Sequence, residues 1–141
     1  INETELMLSL YNTKDVRLSI RLKSYPLELL LKKSDIITLH TPSLGKALIG
    51  AAEMDKMKTG AILINCARGG LIDEAALLAA LESGKIGGAG LDTFDNEPTP
   101  NPLLLNHPRI SVSPHIGAAT AEAQKNIGLE LADKIIAHFE A

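Results

Sequence analysis

Apolar positions along this chain follow two periods in turn. From residue 24 onward, short apolar runs alternate with helical patterns, joined by brief connections rich in Gly, Asp, Pro and Ser. Ser24 is placed to cap a helix that has Pro26 in its first turn and Leu27, Leu29, Leu30 and Leu31 behind it, ending near Ser34. Residues 35–40 then predict a strand. Residues 54–58 close a short helix that stops at Gly60, and the nearly continuous apolar run 61–66 (AILINC) predicts a buried strand. Asp73 is placed to cap a helix over 74–83 that Gly84 stops, and residues 86–91 (IGGAGL) predict a strand whose glycines admit a closely packed helix. After the loop DNEPTPNPLLLNHP, residues 109–113 predict one more strand. Thr120 is placed to cap a final helix in which Ile127, Leu131, Ile135 and Phe139 recur every four residues beside Ala132 and Ile136, so one of its faces should be buried. The opening stretch INETELMLSLYN offers one strand, 6–11.

Strand and helix patterns in this alternation are the rhythm of βα units feeding a parallel sheet, which makes the expected class α/β. With 141 residues, 45% hydrophobic and 22% charged, there is apolar material for one core. That material is mostly Ala, Leu and Ile, with two Phe, two Tyr and no Trp, which suits helices on a sheet better than an aromatic-rich sandwich. The net charge of -3 is spread without a basic run, so nucleic acid is not an expected partner. Cys66 stands alone and no charged-then-apolar leader opens the chain, so a reducing cytoplasm is the expected compartment. No apolar run approaches the roughly 20 residues of a membrane-spanning helix, and no membrane partner is expected.

In an open parallel sheet the ligand crevice lies at the carboxyl ends of the strands. His40 and Thr41 follow the first predicted βα strand, Arg68 follows AILINC, Asp92 and then Glu97 follow IGGAGL, and His115 follows ISVSP. Three successive strands thus deliver an arginine, a carboxylate and a histidine to one edge. A cation that grips a carboxylate, beside a His–Glu pair that exchanges a proton, is equipment for oxidising a 2-hydroxy acid. Arg68 would hold the substrate carboxylate and polarise the C2 oxygen, His115 would take the hydroxyl proton, and Glu97 would orient the imidazole and favour its charged form. Blander roles suit the rest. His40, His107 and His138 read as structural, Asp73 as a helix cap, and Cys66 as an apolar strand residue whose backbone matters more than its thiol. No Cys and His spacing resembles a zinc site, and Glu122, Lys125, Glu130 and Lys134 read as the solvated face of the last helix.

The segments NCARGGLIDEAAL, GLDTFDNEP and SPHIGAAT, in that order, resemble signatures of the D-2-hydroxyacid dehydrogenases, and the resemblance runs from about Tyr25 to the end of the chain. From NEPTPNPLLLNHP onward it is closest to the D-3-phosphoglycerate dehydrogenase branch. The resemblance implies the second part of a doubly wound, Rossmann-type NAD-binding domain over 1–117, with 118–141 as a long C-terminal helix of that domain or one returning toward a substrate domain. It implies NAD as cofactor, a small 2-hydroxy acid as substrate, and a homo-oligomer, most simply a dimer. By it, Arg68, Glu97 and His115 take the catalytic positions, and Asp92 the position beside the nicotinamide carboxamide. Cys66, Ala67, Arg68, His115, Gly117 and Ala118 line the nicotinamide, Thr41 and Pro42 lie beside the ribose and adenosine side, and Asn12 stands where the family usually has an Asp on the adenosine ribose. Glyoxylate, hydroxypyruvate and D-lactate enzymes fit the same motifs. Formate dehydrogenases pair the histidine with glutamine, so Glu97 argues against them.

The chain also departs from the family. None of its 11 glycines falls in a Gly-x-Gly-x-x-Gly pattern, the loop TPSLGKALIG is shorter than in many members, and a substrate domain is not expected within these residues. An inactive fragment and a nucleotide-sensing corepressor-type module are therefore the competing readings from other classes.

Overall fold

The computed structural model describes residues 3–9, 17–117 and 119–140, with backbone alone over 3–9 and 17–22. Strands β1 (Glu3–Ser9) and β2 (Arg17–Lys23) pair antiparallel, Leu6 opposite Ile20 and Leu8 opposite Leu18, in a two-stranded sheet of their own. The single strand expected over 6–11 is corrected in two ways: β1 begins earlier, and a second strand accompanies it. The second strand has its signal in RLSIRLK, apolar at every second position, a period of two rather than a helical or continuous apolar run. Tyr11 lies outside the described residues.

Helix α1 (Leu27–Lys33) starts with Pro26 in the N-cap position and no side-chain cap, which corrects the expected cap at Ser24. A residue before proline is kept out of the helical region, so Tyr25 cannot begin the helix. Next come β3 (Ile36–Leu39) and α2 (Ala51–Lys56). The second of these begins and ends earlier than its pattern suggested, because the Glu53 carboxylate accepts the Gly50 N–H at 3.1 Å and fixes the start, while Met57 already has extended backbone. Strand β4 (Ala61–Asn65) leads to α3 (Glu74–Glu82), whose cap is Asp73 as expected: its carboxylate accepts the Ala76 N–H at 2.9 Å. Strand β5 (Ile86–Leu91) has the expected bounds. The following loop contains one unexpected turn of helix, α4 (Pro102–Leu105), capped by Asn101 and entered through Pro102. Strand β6 (Ile110–Val112) and α5 (Ala121–Phe139), capped by Thr120, complete the order.

The four later strands form a parallel sheet in the order β3-β4-β5-β6. Its covered face carries Ile37, Leu39, Leu63 and Leu91, packed in one cluster with Leu31 of α1, Met54 of α2, Leu77 and Leu81 of α3 and Leu104 of α4. On the other face Ile62 and Ile64 are only half-buried and Ile36 is exposed, so AILINC is a one-sided strand rather than a fully buried one. The α5 expectation is corrected in the same way. Its apolar stripe is present, yet Ile127, Leu131, Ile135 and Phe139 are all exposed and none of its residues is buried. Among the described residues no helix is long and apolar enough to cross a membrane.

Candidate active site

Parallel strands in sequential order put all four of their carboxyl ends on one edge, and each end is followed by a residue singled out above. β3 leads to His40, Thr41 and Pro42; β4 to Cys66, Ala67 and Arg68; β5 to Asp92 and, five residues on, Glu97; β6 to His115, Ile116 and Gly117. Asn12 and Ala118 lie outside the described residues.

On this edge the side chains of His115 and Glu97 meet directly. Nδ1 of His115 lies 2.7 Å from Oε2 of Glu97, and the other carboxylate oxygen accepts the Phe94 N–H at 2.9 Å. The imidazole bond, helped by that amide, holds the Glu97 carboxyl below its ordinary range, so the group is an acceptor only. Nδ1 must then carry the proton, and in neutral His115 the lone pair sits on Nε2. The backbone of His115 has φ +56°, a left-handed conformation uncommon outside glycine. Beside the pair lies a cleft of about 400 Å³ walled by Phe94, Pro98, Pro100, Leu105, Val112 and Pro114.

Asp92 sits beneath this pair with its residue 3% exposed, and its hydrogen bonds explain how a carboxylate survives there. Oδ1 accepts the Ser113 hydroxyl at 2.6 Å and the Ile116 N–H at 2.9 Å, while Oδ2 accepts the Gly117 N–H at 2.9 Å. Burial pushes the Asp92 carboxyl up, but those three donors and the neighbouring His115 outweigh it and leave it below its usual range. The aspartate thereby ties the end of β5 to the segment that carries His115.

Arg68 is exposed, and its guanidinium donates to the Ala67 carbonyl at 2.6 Å. Among the described residues no ion pair joins it to Glu97 and no hydrogen bond joins it to His115. Its backbone is fixed by Asn65, which is not among the residues expected at the site. The Asn65 amide donates to the Arg68 carbonyl at 2.8 Å and its oxygen accepts the Ala67 N–H at 3.1 Å. A polar residue at an inward position of an otherwise apolar strand was the available signal. Cys66 stands beyond the end of β4 and is exposed, which corrects its reading as a strand residue. The bland readings suit the other histidines: His40 contacts Thr38 of the strand before it, His107, its side chain buried, accepts the Arg109 N–H and pairs with Glu82, and His138 packs edge-on against Phe139.

The described part of this edge has features that fit parts of a dinucleotide. The Thr41 hydroxyl is buried without a partner just past β3, a Cβ on Gly117 would stand 3.1 Å from Asp92 Oδ2 where the bare backbone leaves space, and that oxygen keeps a lone pair for an amide donor. No glycine loop of the diphosphate-cradling type accompanies it in this sequence.

The family model of the D-isomer specific 2-hydroxyacid dehydrogenase NAD-binding domain matches residues 6–117. The chain belongs to this family. A D-3-phosphoglycerate dehydrogenase of Bacillus subtilis is 44% identical over 126 residues, 88% of this chain and 24% of the relative. A hydroxypyruvate reductase of Thermotoga maritima is 46% identical over 114 residues, 77% of this chain and 37% of the relative. Among solved structures, a glyoxylate reductase from Paecilomyes thermophila superposes with a TM-score of 0.69 at 46% identity, covering 74% of this chain and 33% of that one. The chain thus spans about a quarter of the length of the curated phosphoglycerate dehydrogenases it matches. The parallel sheet is that of a Rossmann-type dehydrogenase domain.

Proposed function

We propose that the whole protein is an NAD-dependent dehydrogenase of D-2-hydroxy acids that oxidises D-3-phosphoglycerate to 3-phosphohydroxypyruvate, a reaction of serine biosynthesis. The observation that carries this is the 2.7 Å His115–Glu97 pair on the edge that also bears Arg68. NAD, when bound, supplies the redox chemistry by accepting a hydride from C2. His115 takes the hydroxyl proton at Nε2, the nitrogen that Glu97 leaves with a lone pair. Glu97 holds the ring in that tautomer and balances the imidazolium that results. Arg68 turns from the Ala67 carbonyl to grip the substrate carboxylate with its planar fork. Among the described residues, Asp92 would accept from the nicotinamide carboxamide, Cys66, Ala67 and Gly117 would line that ring, and Thr41 and Pro42 would lie along the ribose and adenosine side.

The 46% identity to a hydroxypyruvate reductase favours reduction of hydroxypyruvate or glyoxylate as the second reading. Residues 1–117 are proposed as the NAD-binding part and 118–141 as a helix returning toward a substrate domain, which suits the exposed stripe of α5. A homodimer in the cytoplasm is proposed with it, the exposed Ile36 beside the uncovered sheet face being a surface that association would bury. The test is NAD reduction by the whole protein with D- and L-forms of glycerate and lactate and with D-3-phosphoglycerate. The phosphorylated D-acid should give the highest kcat/KM, and no turnover with any D-acid would refute the reading.

A further inference from the structure

The loops after β4 and β5 meet backbone to backbone. A Cβ on Gly69 would stand 2.0 Å from the Phe94 carbonyl oxygen, so the loop bearing Arg68 lies directly against the loop bearing Glu97. Next along, Gly70 takes φ +75° and donates its N–H to Asp95 Oδ1 at 2.6 Å. The N–H of Asp95 donates in turn to Glu74 Oε1 at 2.9 Å, and Glu74 is the first residue of α3. Arg68 therefore sits between two fixed points, its own carbonyl bonded by Asn65 and the Gly70 amide held by Asp95. A charge-assisted bond of that length from an exposed side chain to the backbone two residues beyond an arginine sets where the guanidinium starts from.

We propose that Asp95 is a positioning residue, clamping the Arg68 loop to the Glu97 loop so that the arginine and the His115–Glu97 pair keep one spacing. The role rests on the reading of Arg68 as the group that grips the substrate carboxylate. Glu74 is the footing of the clamp: its carboxylate fixes the Asp95 backbone from the N-terminal end of a helix whose Leu77 and Leu81 are fully buried. Asp95 touches neither reacting group, so it acts through the loop.

Hydrogen exchange at the Gly70 amide and steady-state kinetics of the whole protein test this together. Asp95→Ala should speed Gly70 exchange and lower kcat/KM by between roughly 10- and 100-fold, the scale of a small misplacement of a binding group. Asp95→Asn, which keeps an acceptor oxygen, should restore most of both. In an Arg68→Lys background the Asp95→Ala loss should shrink below about threefold, because the geometry it protects no longer serves a planar fork. Unchanged Gly70 exchange in Asp95→Ala would overturn the clamp. Faster exchange with losses that simply multiply in the double variant would overturn the positioning role. Normal kinetics in Arg68→Lys alone would refute the reading of Arg68, and with it any positioning exerted through that residue, whichever way the exchange arm came out.

Discussion

His115 and Glu97 are joined at 2.7 Å through a histidine whose backbone stands at φ +56°. The two facts belong together. A left-handed residue at the end of a strand carries a local cost, and a bond to a carboxylate that is itself bonded to the Phe94 amide is what holds the ring in the direction the turn gives it. Glu97 thereby fixes three things at once: the ring's orientation, its tautomer and the charge beside it.

Replacing Glu97 with Gln removes the charge and keeps most of the shape. The His115 bond holds the Glu97 carboxyl below its ordinary range, so the group that fixes the ring is a carboxylate that only accepts. A Gln side chain can turn an N–H toward the ring and carries no charge to balance an imidazolium, so Glu97→Gln should lower kcat/KM in both directions by roughly 10²- to 10⁴-fold, the scale of general acid–base catalysis, with NAD affinity of the whole protein nearly unchanged. Kinetics in both directions check this, and turnover equal to the parent's in both would dissolve the pair.

Asp92 makes a prediction about stability rather than rate. Its folded carboxyl lies below the ordinary range, so the stability it contributes is present above an unfolded Asp value of about 4 and is lost as pH falls through the depressed one. Denaturant midpoints of the 141-residue chain should fall over that acid window. In Asp92→Asn an amide nitrogen faces a backbone or hydroxyl donor, which should cost roughly 1–3 kcal/mol at neutral pH for the unmatched group. The variant's acid slope should also be shallower. Parallel slopes in the two proteins would mean another carboxylate carries the acid transition.

Elements whose signals are local were legible in the sequence. Asp73 and Thr120 cap the helices they precede, and IGGAGL has the strand bounds its apolar run suggested, because capping and strand burial depend on neighbours a few residues away. The edge that gathers Arg68, Glu97 and His115 followed from strand order alone. What stayed hidden needed a partner distant in sequence. Asp95 reads as one more loop acid until Gly70 is folded against it, and Asn65 reads as strand until the Arg68 carbonyl returns to it. The α5 stripe shows the converse error. An amphipathic pattern states that a face is suited to burial, but among the described residues nothing buries it.

Gly69 offers a direct test of the contact between the two site loops. Its added Cβ would meet the Phe94 carbonyl at 2.0 Å, and neither side of that contact is a side chain that can swing away. Gly69→Ala should lower stability by about 1–3 kcal/mol or more and reduce activity of the whole protein, as the loops are forced apart. Gly128→Ala on α5 is the control, since open space surrounds that position and a helical alanine should leave the melting temperature unchanged or raise it. Equal melting temperatures for Gly69→Ala and the parent would show that the loops separate without strain.

The affinity of this chain for NAD follows from which parts of a dinucleotide it can hold. Asp92 and the bare backbone at Gly117 are proposed for the nicotinamide end and Thr41 for the ribose and adenosine side, but the diphosphate of such a cofactor is ordinarily carried by a glycine turn at a helix N-terminus, where backbone N–H groups and the helix dipole meet its charge. The 11 glycines here never take that spacing. The 141-residue chain by itself should therefore bind NAD weakly or not at all, and its affinity for nicotinamide mononucleotide should be little lower than for NAD, because the diphosphate and adenosine find few partners. Titration calorimetry decides it. A micromolar dissociation constant for NAD, with much weaker binding of the mononucleotide, would mean that some other element of this chain cradles the diphosphate.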